Sequence, residues 1–171
     1  LLKITPKKIN DDRGFFMERG KQSIFRELDL KDFVQDNFSR SAKNVLRGIH
    51  YQYSPHQGKL VTCTRGKILD VVVDLRTPSP TFGQSNYLEM NGENPEWLWV
   101  PPGFGHGFVV LSDEGADLWY KVDQYYNGDG ENGIRWNDPA LDIKWQIEQP
   151  NVSPKDVNLP SFADYLLNPK Y

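Results

Sequence analysis

From Val45 onward the chain is a series of short apolar runs that Gly and Pro interrupt every few residues, a pattern that suits strands far better than helices. Val45 to Tyr53 reads as a strand, followed by Ser54-Pro55-His56-Gln57-Gly58 as a turn. Leu60 to Thr64 and Ile68 to Leu75 flank Arg65-Gly66-Lys67, where glycine supplies the positive φ of a tight hairpin. Arg76-Thr77-Pro78-Ser79-Pro80 breaks the pattern, after which Gln84 to Met90, Trp97 to Val100, Phe104 to Leu111 and Ala116 to Tyr126 continue the series. Many short strands with such punctuation predict an all-β sandwich, jelly roll or barrel. Helix is scarce: Ser23 to Leu30, with Ser23 as N-cap, and Ser161 to Leu167. The Pro-rich stretch from Pro150 to Pro160 is expected to run extended over the surface rather than enter the sheet.

Composition narrows the functional classes. A chain of 171 residues, 38% apolar and 25% charged, fits a single domain over residues 1–171 with an extended tail from about residue 150. A net charge of −3 argues against nucleic-acid binding through overall basicity, yet leaves room for an anionic ligand held by a few local Arg and Lys side chains. Cys63 is the only cysteine, so no internal disulfide can form, which suits a reducing cytoplasm. No apolar run approaches the roughly 20 residues of a membrane span.

Three histidines are available for chemistry. His50 lies inside the Val45–Tyr53 run, where strict alternation puts Arg47 and His50 on opposite faces; a shared site requires a bulge or twist at Gly48. Taken alone, His50 reads better as a hydrogen-bonded interior residue than as a catalyst. His106 is flanked by Gly105 and Gly107, which leave its ring uncrowded, while His56 sits in a solvated turn. The His-X-His pair of many β-barrel metal sites is absent, since Tyr51 and Gln52 follow His50, and the expected site is free of metal. Acid–base chemistry is left. A neutral imidazole is a base near pH 7, Tyr120 an acid, and Lys59 a cation for a developing oxyanion, the set that proton abstraction beside a carbonyl needs.

An ordered group of segments goes further. Gln35-Asp36-Asn37-Phe38-Ser39-Arg40-Ser41 is followed by Val45-Leu46-Arg47-Gly48-Ile49-His50-Tyr51-Gln52 and Gln57-Gly58-Lys59-Leu60-Val61. Downstream come Asp70-Val71-Val72-Val73-Asp74-Leu75-Arg76, Pro102-Gly103-Phe104-Gly105-His106-Gly107-Phe108, Tyr120-Lys121 and Trp136-Asn137-Asp138-Pro139. From about Asp11 to Asp156 the chain resembles the dTDP-4-dehydrorhamnose 3,5-epimerase family. The resemblance implies a cupin-type jelly roll, homodimeric, with a dTDP-sugar bound inside each barrel and no cofactor, nucleic acid or membrane involved. It implies His50 as general base, Asp156 as its carboxylate partner, Tyr120 as acid and Lys59 as the cation that holds the enolate. It further implies substrate contacts from Arg13, Glu18, Gln35, Asp36, Asn37, Arg47, His106, Glu131 and Lys155, with Tyr125 or Tyr126 stacking on thymine and Arg13 and Glu18 reaching a partner's site. Arginine at positions 13 and 47 suits a pyrophosphate, because its fork can bond two oxygens. Family members that invert a single carbon share most of these motifs. A metal-dependent cupin and a binding-only module are the alternatives from other classes.

Overall fold

The computed structural model describes residues 1–171. The chain order is β1 (Leu2–Ile4), β2 (Lys8–Asp11), β3 (Gly14–Met17), α1 (Gln22–Glu27), β4 (Gln35–Ser41), β5 (Val45–Gln52), β6 (Lys59–Arg65) and β7 (Lys67–Asp74). It continues with β8 (Ser85–Asn91), β9 (Trp97–Val100), β10 (Phe104–Val110), β11 (Ala116–Val122), β12 (Glu131–Gly133), β13 (Asn151–Val152), α2 (Pro154–Val157) and α3 (Phe162–Leu167). Two sheets face each other, one ordered β1-β9-β6-β11-β4 and the other β12-β5-β10-β7-β8 with β13 added beside β5. A separate hairpin, β2-β3, stands outside both.

Strand alternation explains how the sheets sandwich a core. Val61, Cys63, Ile68, Val72, Val110 and Leu118 meet between the sheets and fill one end of the barrel. The opposite sides of the same strands do different work. Leu69, Val71 and Val73 of β7 point outward and are covered by Trp145, Phe162 and Tyr165 from the C-terminal segment. On the other sheet's outer face Leu60 and Trp97 pack with Phe25 of α1 and Leu30. β7 is therefore apolar on both sides, which is why its sequence is a continuous run rather than an alternation. The polar exceptions among inward positions are the ones that matter below.

The structure corrects four local expectations. Gly66 does take a positive φ of 74°, but β6 and β7 lie in different sheets, so Arg65-Gly66-Lys67 is a corner between sheets and not a hairpin. A Cβ there would stand 2.0 Å from the Gly115 carbonyl oxygen, so the corner's packing excludes any side chain. β11 stops at Val122, since the next residue, Asp123, turns its carboxylate onto the Gly58 N–H at 2.7 Å. α1 begins at Gln22 with Lys21 at its N-cap and no side-chain cap, leaving Ser23 inside the helix. The tail does enter a sheet: Asn151 and Val152 pair in parallel with Val45 and Leu46 of β5.

Along β5 the expected irregularity is present. His106 of β10 pairs with His50 and Phe108 with Arg47, so Gly48 and Ile49 together oppose the single residue Gly107. That is a β-bulge, and it reverses the side-chain alternation. Leu46 before it and Ile49 and Tyr51 after it all join the outer core, while Arg47 and His50 both face the space between the sheets. Gly48 takes φ 127°, and a Cβ on it would lie 2.5 Å from the Gly107 Cα, so only glycine allows this close approach of β5 to β10.

Candidate active site

The end of the barrel that the apolar core does not fill holds a cavity with two adjoining lobes, of about 250 Å³ and 280 Å³. His50, Lys59, Tyr120 and Glu131 line both lobes. Arg47 and His106 line the first only, with Ser39, Phe108 and Leu118 beside them. Gln35, Asn37 and Tyr126 line the second. Polar side chains thus surround the place where two sheets would otherwise be closed by hydrophobic residues.

His50 comes from β5, and its Nε2 lies 2.7 Å from Oδ1 of Asp156. Asp156 is 3% exposed and sits in α2, whose first turn is capped by the Ser153 hydroxyl accepting the Asp156 N–H at 3.1 Å. Its second oxygen accepts the Gly48 N–H at 3.3 Å. Burial pushes the Asp156 carboxyl upward, but the hydrogen bond and charge of His50, the Gly48 N–H and nearby Lys155 outweigh it and hold the group below the usual carboxylate range. An ionised Asp156 accepts a hydrogen bond from the Nε2–H of His50, which leaves the lone pair of the neutral ring on Nδ1.

Facing it across the barrel are Lys59 from β6 and Tyr120 from β11. Lys59 stands deep in the barrel, and burial is the main reason its ammonium is pushed down to about 8; the carboxylates of Glu131 and Asp70 oppose that fall and Lys155 adds to it. Tyr120 holds its proton more firmly than a free phenol, chiefly because it is buried and next because Glu131 is negative, with Arg47 pulling the other way. A second His–Asp pair lies alongside. His106 Nε2 is 2.8 Å from Oδ2 of Asp70, which is fully buried and whose Oδ1 has no partner. No three His, Cys, Asp or Glu side chains converge on one point that a metal would occupy.

At the rim, Glu131 accepts hydrogen bonds from Lys155 Nζ at 2.6 Å and from the Tyr126 hydroxyl at 3.1 Å. Burial raises Glu131, while the bond and charge of Lys155, then Tyr126 and His50, bring it below its ordinary value. The same contact ties α2, and hence Asp156, to β12. Gln35 donates to Asn37 at 2.9 Å and accepts the Tyr126 N–H at 3.1 Å, so β4 and the segment after β11 meet at the second lobe.

Three of the anticipated contact residues stand apart. Asp36 lies on the outer face of β4, bonded to Lys121 at 2.7 Å and to the Trp119 indole at 3.0 Å, because alternation along β4 sends only Gln35, Asn37, Ser39 and Ser41 inward. Arg13 and Glu18 belong to the β2-β3 hairpin region; Arg13 pairs with Asp11 at 2.6 Å and Glu18 with Lys21 at 2.6 Å. Tyr125 is 68% exposed outside the cavity, whereas Tyr126 lines it. Asp70 and Ser39 were not singled out from sequence. Asp70 is the one acidic residue within the otherwise apolar Ile68–Val73 stretch, and that was the available signal.

The profile of the dTDP-4-dehydrorhamnose 3,5-epimerase family matches residues 1–164. A dTDP-4-dehydrorhamnose 3,5-epimerase of Shigella flexneri is 47% identical over 167 residues, 96% of this chain and 92% of that protein. The crystal structure of a dTDP-6-deoxy-D-glucose-3,5-epimerase from Legionella pneumophila, in complex with dTDP-4-keto-L-rhamnose, has a TM-score of 0.91 at 46% identity and covers 99% of this chain and 92% of its own. A dTDP-4-dehydrorhamnose 3-epimerase of Streptomyces niveus is 40% identical over 159 residues, 90% of this chain and 75% of that protein.

Proposed function

The chain belongs to the dTDP-4-dehydrorhamnose 3,5-epimerase family, and from that premise we propose that its barrel cavity carries out the family's isomerisation with His50 as base and Tyr120 as acid. The substrate is a dTDP-linked 4-keto-6-deoxy sugar, and the enzyme is an isomerase of dTDP-rhamnose biosynthesis. The C4 ketone acidifies the C–H bonds at C3 and C5. His50 takes one such proton, and the C–H electron pair moves onto the C4 oxygen as an enolate. The Lys59 ammonium holds that oxyanion, the electron pair returns to carbon, and the Tyr120 phenol delivers a proton to the opposite face. Each inversion leaves His50 protonated and Tyr120 as phenolate, so the pair resets before the second carbon is inverted. The observation that carries this reading is the His50–Asp156 contact at 2.7 Å facing Lys59 and Tyr120 in one cavity.

Arg47 is assigned to the diphosphate, His106 to the sugar and Tyr126 to stacking on thymine, with Gln35, Asn37 and Glu131 completing the second lobe and Lys155, bonded to Glu131, reaching substrate from the rim. Asp36, turned outward, is left with a structural part through Trp119 and Lys121. The same reading makes the protein a homodimer. Ile9, Phe15 and Phe16 of the β2-β3 hairpin are 54%, 53% and 64% exposed, an apolar surface that a second copy would cover while bringing Arg13 and Glu18 to its site. No helix is long and apolar enough to cross a membrane. We place the enzyme in the cytoplasm, a reading supported by the lone Cys63 being buried and unable to form an internal disulfide.

Incubation with dTDP-4-dehydro-6-deoxyglucose in deuterated water, followed by NMR of the product, tests the assignment. Deuterium is expected at both C3 and C5. The similarity to a 3-epimerase favours a second reading, label at C3 alone. His50→Ala is expected to abolish label at both carbons, and Tyr120→Phe to retain proton loss while impairing inversion. An unlabelled product from the wild-type protein overturns the enzymatic reading.

A further inference from the structure

We propose that Asp123 is a positioning residue for catalysis, bracing the backbone that aims Lys59 at the enolate oxygen; this rests on the role assigned to Lys59 above. Asp123 is 3% exposed and follows β11 directly. Its Oδ1 accepts the Gly58 N–H at 2.7 Å, and its own N–H donates to the Gly58 carbonyl at 3.3 Å. One residue on, the Gln124 carbonyl accepts from Gln57 Nε2 at 2.8 Å. Three bonds therefore strap the segment immediately before Lys59 to the end of the strand that carries Tyr120. From the other side Gly58 is pressed by an aromatic ring: a Cβ on Gly58 would lie 2.1 Å from the Trp99 side chain. Residue 58 is thus held between an indole and a carboxylate, and the next residue projects its ammonium into the cavity.

The carboxylate is costly where it stands. Oδ2 of Asp123 is buried and has no hydrogen-bond partner. An unpaired buried polar atom is destabilising, so its presence here points to work done by the other oxygen. Lys59 has a flexible four-carbon stem, and a cation is useful to an enolate only if its position is fixed before the charge develops. A backbone brace supplies that fixation without occupying the cavity.

The test compares Asp123→Ala, Asp123→Leu and Asp123→Asn with wild type for kcat and KM on dTDP-4-dehydro-6-deoxyglucose, after thermal melting confirms that each is folded. Leucine fills the volume if alanine does not fold. Displacing a catalytic group by about 1 Å can cost roughly 100-fold, so Asp123→Ala and Asp123→Leu are expected to lower kcat about 10- to 100-fold with KM little changed. Asp123→Asn keeps an acceptor for the Gly58 N–H and is expected to restore most of kcat. In a Lys59→Ala background, Asp123→Ala is expected to add no further loss, because the group it positions is gone. Wild-type kcat in Asp123→Ala and Asp123→Leu, failure of asparagine to rescue, or an equal loss in the Lys59→Ala background each overturns the proposal. Wild-type turnover by Lys59→Ala itself would instead remove the role of Lys59 on which it rests.

Discussion

Lys59 is the residue whose protonation the site makes most delicate. Its ammonium, held at about 8 mainly by burial, is kept charged there by Glu131 and Asp70 against the nearby charge of Lys155. The remaining titratable groups lining the cavity are His50, His106, Tyr51, Tyr120 and Tyr126, with Arg47 always positive. The sign of the pH effect follows. Below about 8 Lys59 is charged and fit for the role proposed for it; as pH rises through that value the cation is lost and kcat/KM is expected to fall. Glu131→Gln removes a negative charge that raises the Lys59 value, so the alkaline limb of the profile of kcat/KM against pH is expected to move to lower pH. An unmoved limb in that variant would sever Glu131 from Lys59. At this scale the residues proposed as base, acid and cation were legible as residue types in recognisable segments. The shared motif Gln35-Asp36-Asn37 did not reveal direction, which alternation sets by turning Asp36 to Trp119 between two inward-facing neighbours; nor did the apolar run of β7 reveal that Asp70 meets the His106 ring from the neighbouring strand.

Among the elements, β5 decides whether a site exists at all. Its bulge puts Arg47 and His50 on one face, and the bulge depends on Gly48 at φ 127° with Gly107 opposite. In Gly48→Ala the new methyl would lie 2.5 Å from the Gly107 Cα and 2.9 Å from the His106 carbonyl oxygen, both backbone atoms that cannot swing aside. Overpacking together with an unfavourable backbone conformation is expected to cost about 2–4 kcal/mol. At this chain length that corresponds to a melting temperature lower by roughly 5–15 °C. Turnover should fall further than stability explains, because the same shift turns His50 away from the cavity; a variant that melts as wild type and turns over normally would show that the bulge is dispensable. The need for a bulge could be read from Arg47 and His50 standing three residues apart on one strand. The corner at Gly66 could not be distinguished from a hairpin, since both use glycine at positive φ between strands buried on both sides. The parallel pairing of Asn151 and Val152 was hidden for a different reason, two residues being too few to show any period.

For the whole molecule the open question is how many chains make one site. The β2-β3 hairpin pairs with neither sheet, and an isolated two-stranded hairpin is marginal in water. It nevertheless displays Phe15 and Phe16, and the Arg13 side chain near its turn is 85% exposed and held only by Asp11. Those features make sense if a second copy covers the apolar surface and receives the guanidinium as a ligand for substrate phosphate. Complementation tests this directly. Arg13→Ala and His50→Ala are each expected to be impaired when purified separately, the first in KM and the second in kcat. If two chains make the functional unit, unfolding and refolding the variants together yields mixed dimers. If Arg13 acts across the interface, one site in each mixed dimer has an intact His50 from one chain and an intact Arg13 from the other. The second site carries both lesions. Random pairing makes about half the dimers mixed with one good site of two, so the mixture should regain about one quarter of wild-type activity at low substrate concentration. If Arg13 serves its own barrel, every site in the mixture carries one lesion or the other and activity stays at the average of the two parents. Sedimentation at the assay concentration would separate that outcome from a simple failure to dimerise, because a monomeric wild-type protein with full turnover would remove the interface from the mechanism altogether.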